Sequence, residues 1–251
     1  MMKHLNGKTV IVTGGTRGIG RAISLALAEC GANVYALYAR NRKNAETIEK
    51  EAEKRGLNIR TIRGDLAHEE SYQQVLGQLE EVCNHIDILV HSAASGVHRN
   101  SMELSDRQLK WTFEINFFAV HRLTRDLVGK MGKGSRIIGI TSPGGTRVIP
   151  SYAAVGSTKG ALEALFRHYA FELAPLGIGV NLVSPGLVMT DAAEALPELG
   201  KMLNMTLDYT PSGKLTTPDD VAMLVKFLTT DAASQIIGQT IVIDGGKTLL
   251  A

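Results

Sequence analysis

The sequence predicts a single-domain, doubly wound α/β fold, and three observations carry that prediction. Short β-branched runs alternate with longer stretches of helical period almost to the end of the chain. The runs are apolar on both faces, as strands of a parallel sheet covered by helices on both sides must be. No Pro/Gly/Ser-rich linker, low-complexity segment, internal repeat or compositional break marks a second unit, so one domain is assigned to residues 1–251.

Taken in order, the strand segments are Thr9 to Thr13, Val34 to Tyr38, Ile59 to Ile62, Ile86 to Val90, Arg136 to Thr141, Gly179 to Val183 and Thr240 to Ile243. Each is short and rich in Val, Ile, Thr or Tyr, the residues that fit a pleated, buried surface. Helical spacing of apolar residues fills the intervals, notably Gly18 to Glu29, Asn41 to Lys54, Glu69 to Val82, Ser105 to Leu127, Tyr152 to Ala174 and Pro218 to Leu228. The charges that run from Arg40 to Arg55 alternate in sign, as on a solvated helix face. Trp111, Phe113, Phe117 and Phe118 are read as helix packing, and His85, His121 and His168 as core or surface residues.

Composition narrows the functional classes. With 27 Lys and Arg against 25 Asp and Glu in 251 residues, the formal charge of +2 creates no strong field for nucleic acid or an anionic membrane. A chain of this size buries enough surface to need neither disulfides nor a structural metal. Cys30 and Cys83 lack a close Cys partner or a His at ligand spacing, so they are read as buried structural thiols, and no metal site is assigned. No stretch reaches the roughly 18 apolar residues of a membrane helix. The start runs straight into a strand without the layout of a secretion signal, and the expected location is cytoplasmic.

The first strand–helix junction reads Thr13-Gly14-Gly15-Thr16-Arg17-Gly18-Ile19-Gly20. A helix N-terminus offers unpaired N–H groups and a positive dipole end, and phosphate oxygens approach closely only where no Cβ intervenes. At this junction of a βαβ series the glycines point to a dinucleotide site rather than a plain turn. An NAD site usually has an acid about 20 residues beyond the glycines. Here Tyr38-Ala39-Arg40-Asn41-Arg42 has none, while Arg17, Arg40 and Arg42 suit a 2′-phosphate, so NADPH is preferred. The alternative is that Arg40 and Arg42 simply begin a charged helix.

Together the glycine turn, Asp65-Leu66, Asn116, Ser142, Lys159, Ser184-Pro185-Gly186 and Asp244-Gly245-Gly246 resemble the short-chain dehydrogenase/reductase family, in order and over nearly the whole chain. The resemblance implies a Rossmann fold with a seven-stranded parallel sheet of order 3-2-1-4-5-6-7, a nicotinamide cofactor across the carboxyl ends of the strands, and a homotetramer. It implies cofactor contacts at Gly14, Thr16, Arg17, Gly18 and Ile19, at Arg40 and Arg42, at Asp65 and Leu66 for the adenine, and at Ser92, Ala93, Pro185 and Gly186. Val188 and Thr190 would hold the carboxamide. Lys159 would hold the nicotinamide ribose and lower the pKa of a catalytic Tyr, and Asn116 would support a proton-resupplying water chain.

Two departures from the family pattern stand out. Ser92-Ala93-Ala94 replaces Asn-Ala-Gly, so cofactor contact there must rely on backbone. In carbonyl-reducing members a Tyr follows the Ser by thirteen residues, which falls on Val155, whereas the available phenol is Tyr152. A shift of three residues keeps the same helix face but moves the side chain by roughly 4.5 Å. Reduction of an α,β-unsaturated thioester sends hydride to the β-carbon while charge builds on a more distant oxygen, which asks for a proton donor farther from the nicotinamide. Tyr-x6-Lys resembles the enoyl-acyl-carrier-protein reductase branch, and within it the bacterial type III, NADPH-dependent enzymes.

The implied catalytic set is Tyr152, Lys159, Ser142 and Asn116, with acyl carrier protein as partner and fatty acid synthesis as context. A 3-oxoacyl or other carbonyl reductase, or a non-catalytic NADPH sensor, is the alternative. Ser151 as helix N-cap with Tyr152 packed outward is the competing reading of that residue. Residues 189–213, with Leu196, Leu199, Met202, Leu203, Met205, Leu207 and Tyr209, read either as a lid over an acyl chain or as an ordinary amphipathic helix. Lys130, Lys133 and Arg167 are weighed as carrier-facing bases against a solvated surface.

Overall fold

A computed structural model of the chain describes residues 4–190, 193 and 199–249, the side chains of 199, 201, 202 and 205 excepted. Strands β1 (Thr9–Thr13), β2 (Asn33–Tyr38), β3 (Ile59–Arg63), β4 (Ile88–His91), β5 (Arg136–Ile140), β6 (Gly179–Pro185) and β7 (Thr240–Ile243) form one sheet of order β3-β2-β1-β4-β5-β6-β7. Every pairing is parallel. The helices are α1 (Gly18–Glu29), α2 (Arg42–Arg55), α3 (Glu69–Val82), α4 (Asp106–Phe113), α5 (Ala119–Leu127), α6 (Ala153–Leu173), α7 (Leu199–Tyr209) and α8 (Pro218–Leu228).

The two-faced burial expected of the strands is realised residue by residue. Val10 and Val12 point into a core shared with Ile23 and Leu27 of α1 and Val221 and Val225 of α8. Ile11, between them, enters the opposite core with Leu79 of α3, Leu123 of α5 and Phe166 of α6. One register therefore commits a strand to both layers, because successive side chains face opposite ways. Cys30 and Cys83 are free and buried, each capping a helix end.

Three expectations are corrected. The run Ser105 to Leu127 is not one helix: Ser105 caps α4 through a capping box with Gln108, and a π-helical turn, Glu114–Phe118, interrupts the path to α5. The extra residue of such a turn tends to mark functional segments, and this one carries Asn116. Trp111 and Phe118 are not packed away, being 38% and 47% exposed. Ser151 is not the cap of α6: it takes a left-handed φ of 58°, and Tyr152 is itself the capping residue. Smaller shifts move β4 to Ile88–His91 and start α2 after Asn41, whose side chain accepts the Asn44 N–H. Among the described residues, no helix is long and apolar enough to cross a membrane.

Candidate active site

Connections leave β1 toward α1 and β4 toward α4 in opposite directions, which opens a crevice at the carboxyl ends of the two strands. The glycine turn lines it. Gly14 and Gly18 have φ of 64° and 52°, a region that L side chains rarely adopt. A Cβ on Gly14 would lie 2.9 Å from Ala93 Cα, and one on Gly20 would lie 2.2 Å from the Gly14 carbonyl oxygen. Thus Gly20 lets α1 close onto the turn while Gly14 lets β4 approach it. Gly15 is also constrained, since its Cβ would meet Ser24 Oγ at 2.8 Å, and sequence reasoning gave it no role. Thr16 is buried, Ile19 packs on the core, and Arg17 caps α1, whose first turn has no acidic residue. The N-terminal dipole end therefore faces the crevice uncompensated.

Ser92 and Ala93 sit beside this turn, but their N–H groups both donate to Thr13 Oγ1 at 3.1 Å. Backbone contact from Ser92 and Ala93 is thereby restricted to their carbonyl oxygens. At the neighbouring strand end, Gly15 N donates to Leu37 O, so the turn and the end of β2 adjoin. Arg40 is exposed, and Arg42 forms an exposed i,i+4 pair with Glu46 that a bound phosphate would have to displace. Asp65 accepts the Ala67 N–H, and Arg122 donates to the Leu66 carbonyl, which fixes the turn after β3. Beyond β6, Gly186 packs on Asp244, whose carboxylate accepts from Gly246 and Thr248. Val188 bridges Thr216, and the Thr190 methyl would be 3.2 Å from a Cβ on Gly18. Pro185 to Thr190 is thereby brought against the glycine turn.

The proposed catalytic residues converge at the ends of β4 and β5. Lys159 is buried in α6 and donates to the Ile140 carbonyl at 2.8 Å. Burial lowers its pKa to about 8, and the nearby Glu163 carboxylate works in the opposite direction. Glu163, one helical turn on and itself buried, accepts from Thr141 Oγ1 at 2.9 Å. Asn116 is buried, Oδ1 accepting from Ser95 N and Nδ2 donating to Thr158 Oγ1. Its side chain thereby ties the loop after β4 to α6. Ser142 Oγ accepts the Gly144 N–H at 3.2 Å.

Tyr152 packs against Gly144, where an added Cβ would touch the ring at 2.6 Å. Burial raises its pKa, and a side-chain hydrogen bond with Ser142 acts against that rise. Burial is the larger effect, so the phenol stays a neutral donor, while the Lys159 ammonium donates to the Ile140 carbonyl. Val155 is 5% exposed and covered by the loop after β4: a Cβ on Gly96 would be 2.3 Å from Val155 Cγ2. Sequence reasoning missed Glu163 and His98, the latter stacked on the Tyr152 ring. A charged residue four places after Lys159 was the available signal for Glu163. Nothing in the sequence pairs position 98 with 152.

Within residues 189–213, Met189, Leu207 and Tyr209 are 41%, 43% and 56% exposed, so the described part of the segment leaves apolar surface uncovered. Leu196 lies outside the described residues. Of the three bases, Lys130 donates to the Cys83 carbonyl, Lys133 lies before β5, at the end of the sheet opposite the crevice, and Arg167 is exposed on α6.

Residues 14–248 match the family described as Enoyl-(Acyl carrier protein) reductase. The chain is 32% identical over 243 residues to the 1-cyclohexenylcarbonyl-CoA reductase of Streptomyces collinus, covering 96% of this chain and 87% of that one. It is 30% identical over 245 residues to a 3-oxoacyl-[acyl-carrier-protein] reductase of Staphylococcus epidermidis, covering 95% and 98%. Among solved structures, a short-chain dehydrogenase from Burkholderia cenocepacia in complex with NADP superposes with a TM-score of 0.89 at 30% identity, over 97% of this chain and 99% of that one.

Proposed function

The chain belongs to the short-chain dehydrogenase/reductase family, and from that premise we propose that it is an NADPH-dependent reductase of trans-2-enoyl thioesters carried on acyl carrier protein. The observation that supports this most is the placement of the phenol. Tyr152 stands at the crevice with a hydrogen bond to Ser142, while Val155, the position used by carbonyl-reducing relatives, is sealed beneath Gly96.

The residues present fit a nicotinamide dinucleotide. Gly14, Gly18 and Gly20 leave no room for side chains, so the turn closes tightly and the N-terminus of α1 faces the crevice. Arg17, Arg40 and Arg42 would hold the 2′-phosphate, Asp65 and Leu66 the adenine, and Val188 and Thr190 the carboxamide. When bound, the reduced nicotinamide supplies hydride. The Lys159 ammonium, held by Ile140 and balanced by Glu163, would hold the ribose. Tyr152 would donate to the thioester oxygen, and its raised pKa keeps the proton available at neutral pH. The apolar residues of α7 would cover the acyl chain. The reading includes a cytoplasmic homotetramer serving fatty acid synthesis, with exposed Phe171 available for subunit contact.

The test follows NADPH or NADH loss with a crotonyl thioester and separately with an acetoacetyl thioester. Crotonyl reduction with NADPH is expected; reduction of the acetoacetyl compound alone would make the chain a carbonyl reductase, and turnover of neither a sensor. A pH dependence follows as well. The Lys159 charge is present below about 8 and lost above it, so kcat/KM should fall as pH rises through that value. Glu163→Gln removes the group that raises this pKa, and the alkaline limb should move to lower pH. A limb that stays in place would mean that Glu163 does not set the charge.

A further inference from the structure

His98 lies in the loop between β4 and α4, and its imidazole stacks on the Tyr152 phenol with ring centroids 5.7 Å apart and planes 21° from parallel. The loop is pinned on both sides of it. Arg99 forms a backbone bridge with Tyr152, and Gly96 abuts Val155. Nδ1 of His98 is buried without a partner. An unpartnered buried N–H is costlier than an unpartnered lone pair, which assigns the proton to Nε2. Burial lowers the pKa of the ring, so it is neutral at physiological pH. Among the described residues, no side chain or carbonyl accepts from Nε2.

An acyl oxygen that gains negative charge is stabilised best by more than one fixed donor. Tyr152 supplies one. Ser142 is already occupied by Gly144 and by the phenol. We propose that His98, through Nε2–H, is a second hydrogen-bond donor to the substrate acyl oxygen, acting beside Tyr152. This rests on the reading of the site as a thioester reductase, and neither the position nor the residue type follows from the family motifs.

Two variants separate the donor from the ring. His98→Phe keeps a flat ring against Tyr152 and removes the donor, whereas His98→Gln keeps an N–H donor and removes the ring. Each is assayed on whichever thioester the wild type reduces, so an error about the reaction appears in the wild-type substrate comparison and an error about His98 appears in the variants. The expected result is a kcat about 10- to 100-fold lower for His98→Phe, with NADPH Kd and Tm unchanged, and a kcat for His98→Gln clearly above that of His98→Phe. Full kcat in His98→Phe, or a His98→Gln no better than it, would overturn the proposal. Reduction of neither thioester by the wild type would overturn both readings together.

Discussion

Tyr152→Phe is expected to lower kcat on a crotonyl thioester by about 10²- to 10⁴-fold, the range over which a positioned proton donor contributes. The substitution removes one oxygen and leaves the ring that packs against Gly144 and His98. Stability and NADPH affinity should therefore hold, and the loss should fall on kcat rather than on binding, because the donor acts when charge develops on the acyl oxygen. Steady-state kinetics with fluorescence titration of NADPH checks both halves. A variant that keeps full enoyl activity would remove Tyr152 from the chemistry. The converse substitution is informative: Val155→Tyr in the Tyr152→Phe background should not restore activity, since position 155 is covered by Gly96.

The second large effect belongs to Gly20. Gly20→Ala would place a methyl group 2.2 Å from the Gly14 carbonyl oxygen and 3.2 Å from Gly15 Cα, both backbone atoms that no rotamer change can clear. Helix α1 would have to move away from β1, disturbing Ile23 and Leu27 in the core and the glycine turn at once. Overpacking of this kind costs about 1–3 kcal/mol, and a domain of this size loses roughly 2–4 °C in Tm for each kcal/mol. NADPH Kd should rise at least about tenfold, a change worth about 1.4 kcal/mol of binding. Gly77→Ala is the control: nothing lies within 4 Å of its Cβ position in α3, so Tm should be unchanged or higher. Equal behaviour of the two variants, by calorimetry and titration, would show that the close approach at Gly20 is not what the turn requires.

Much of the fold is legible along the chain because its signals are local. The β-branched run Thr9–Thr13 followed by glycines and a helical period specifies strand, turn and helix within a few residues of each other. The alternating charges of α2 are solvated as their pattern implies, with Arg42 paired to Glu46 four residues on. The candidate site was legible where short sequence spacing carried it, as with Tyr152 and Lys159. It was not legible where contact joins distant segments. The interruption of the helix at Glu114–Phe118 lies in a stretch whose apolar spacing continues unbroken, and the Asn116 it carries bonds to Ser95 and Thr158, far off in sequence.

By itself the sequence determined a parallel doubly wound sheet, a glycine turn at its first strand–helix junction, and a phenol three residues before Val155, since periodicity and spacing are properties of neighbours in the chain. Only the tertiary structure decided that Val155 is closed off, that Lys159 is balanced by Glu163 and held by Ile140, and that His98 stacks on the phenol. Those facts depend on burial and on the approach of segments far apart in sequence, and burial sets which groups stay charged and which protons can be given away.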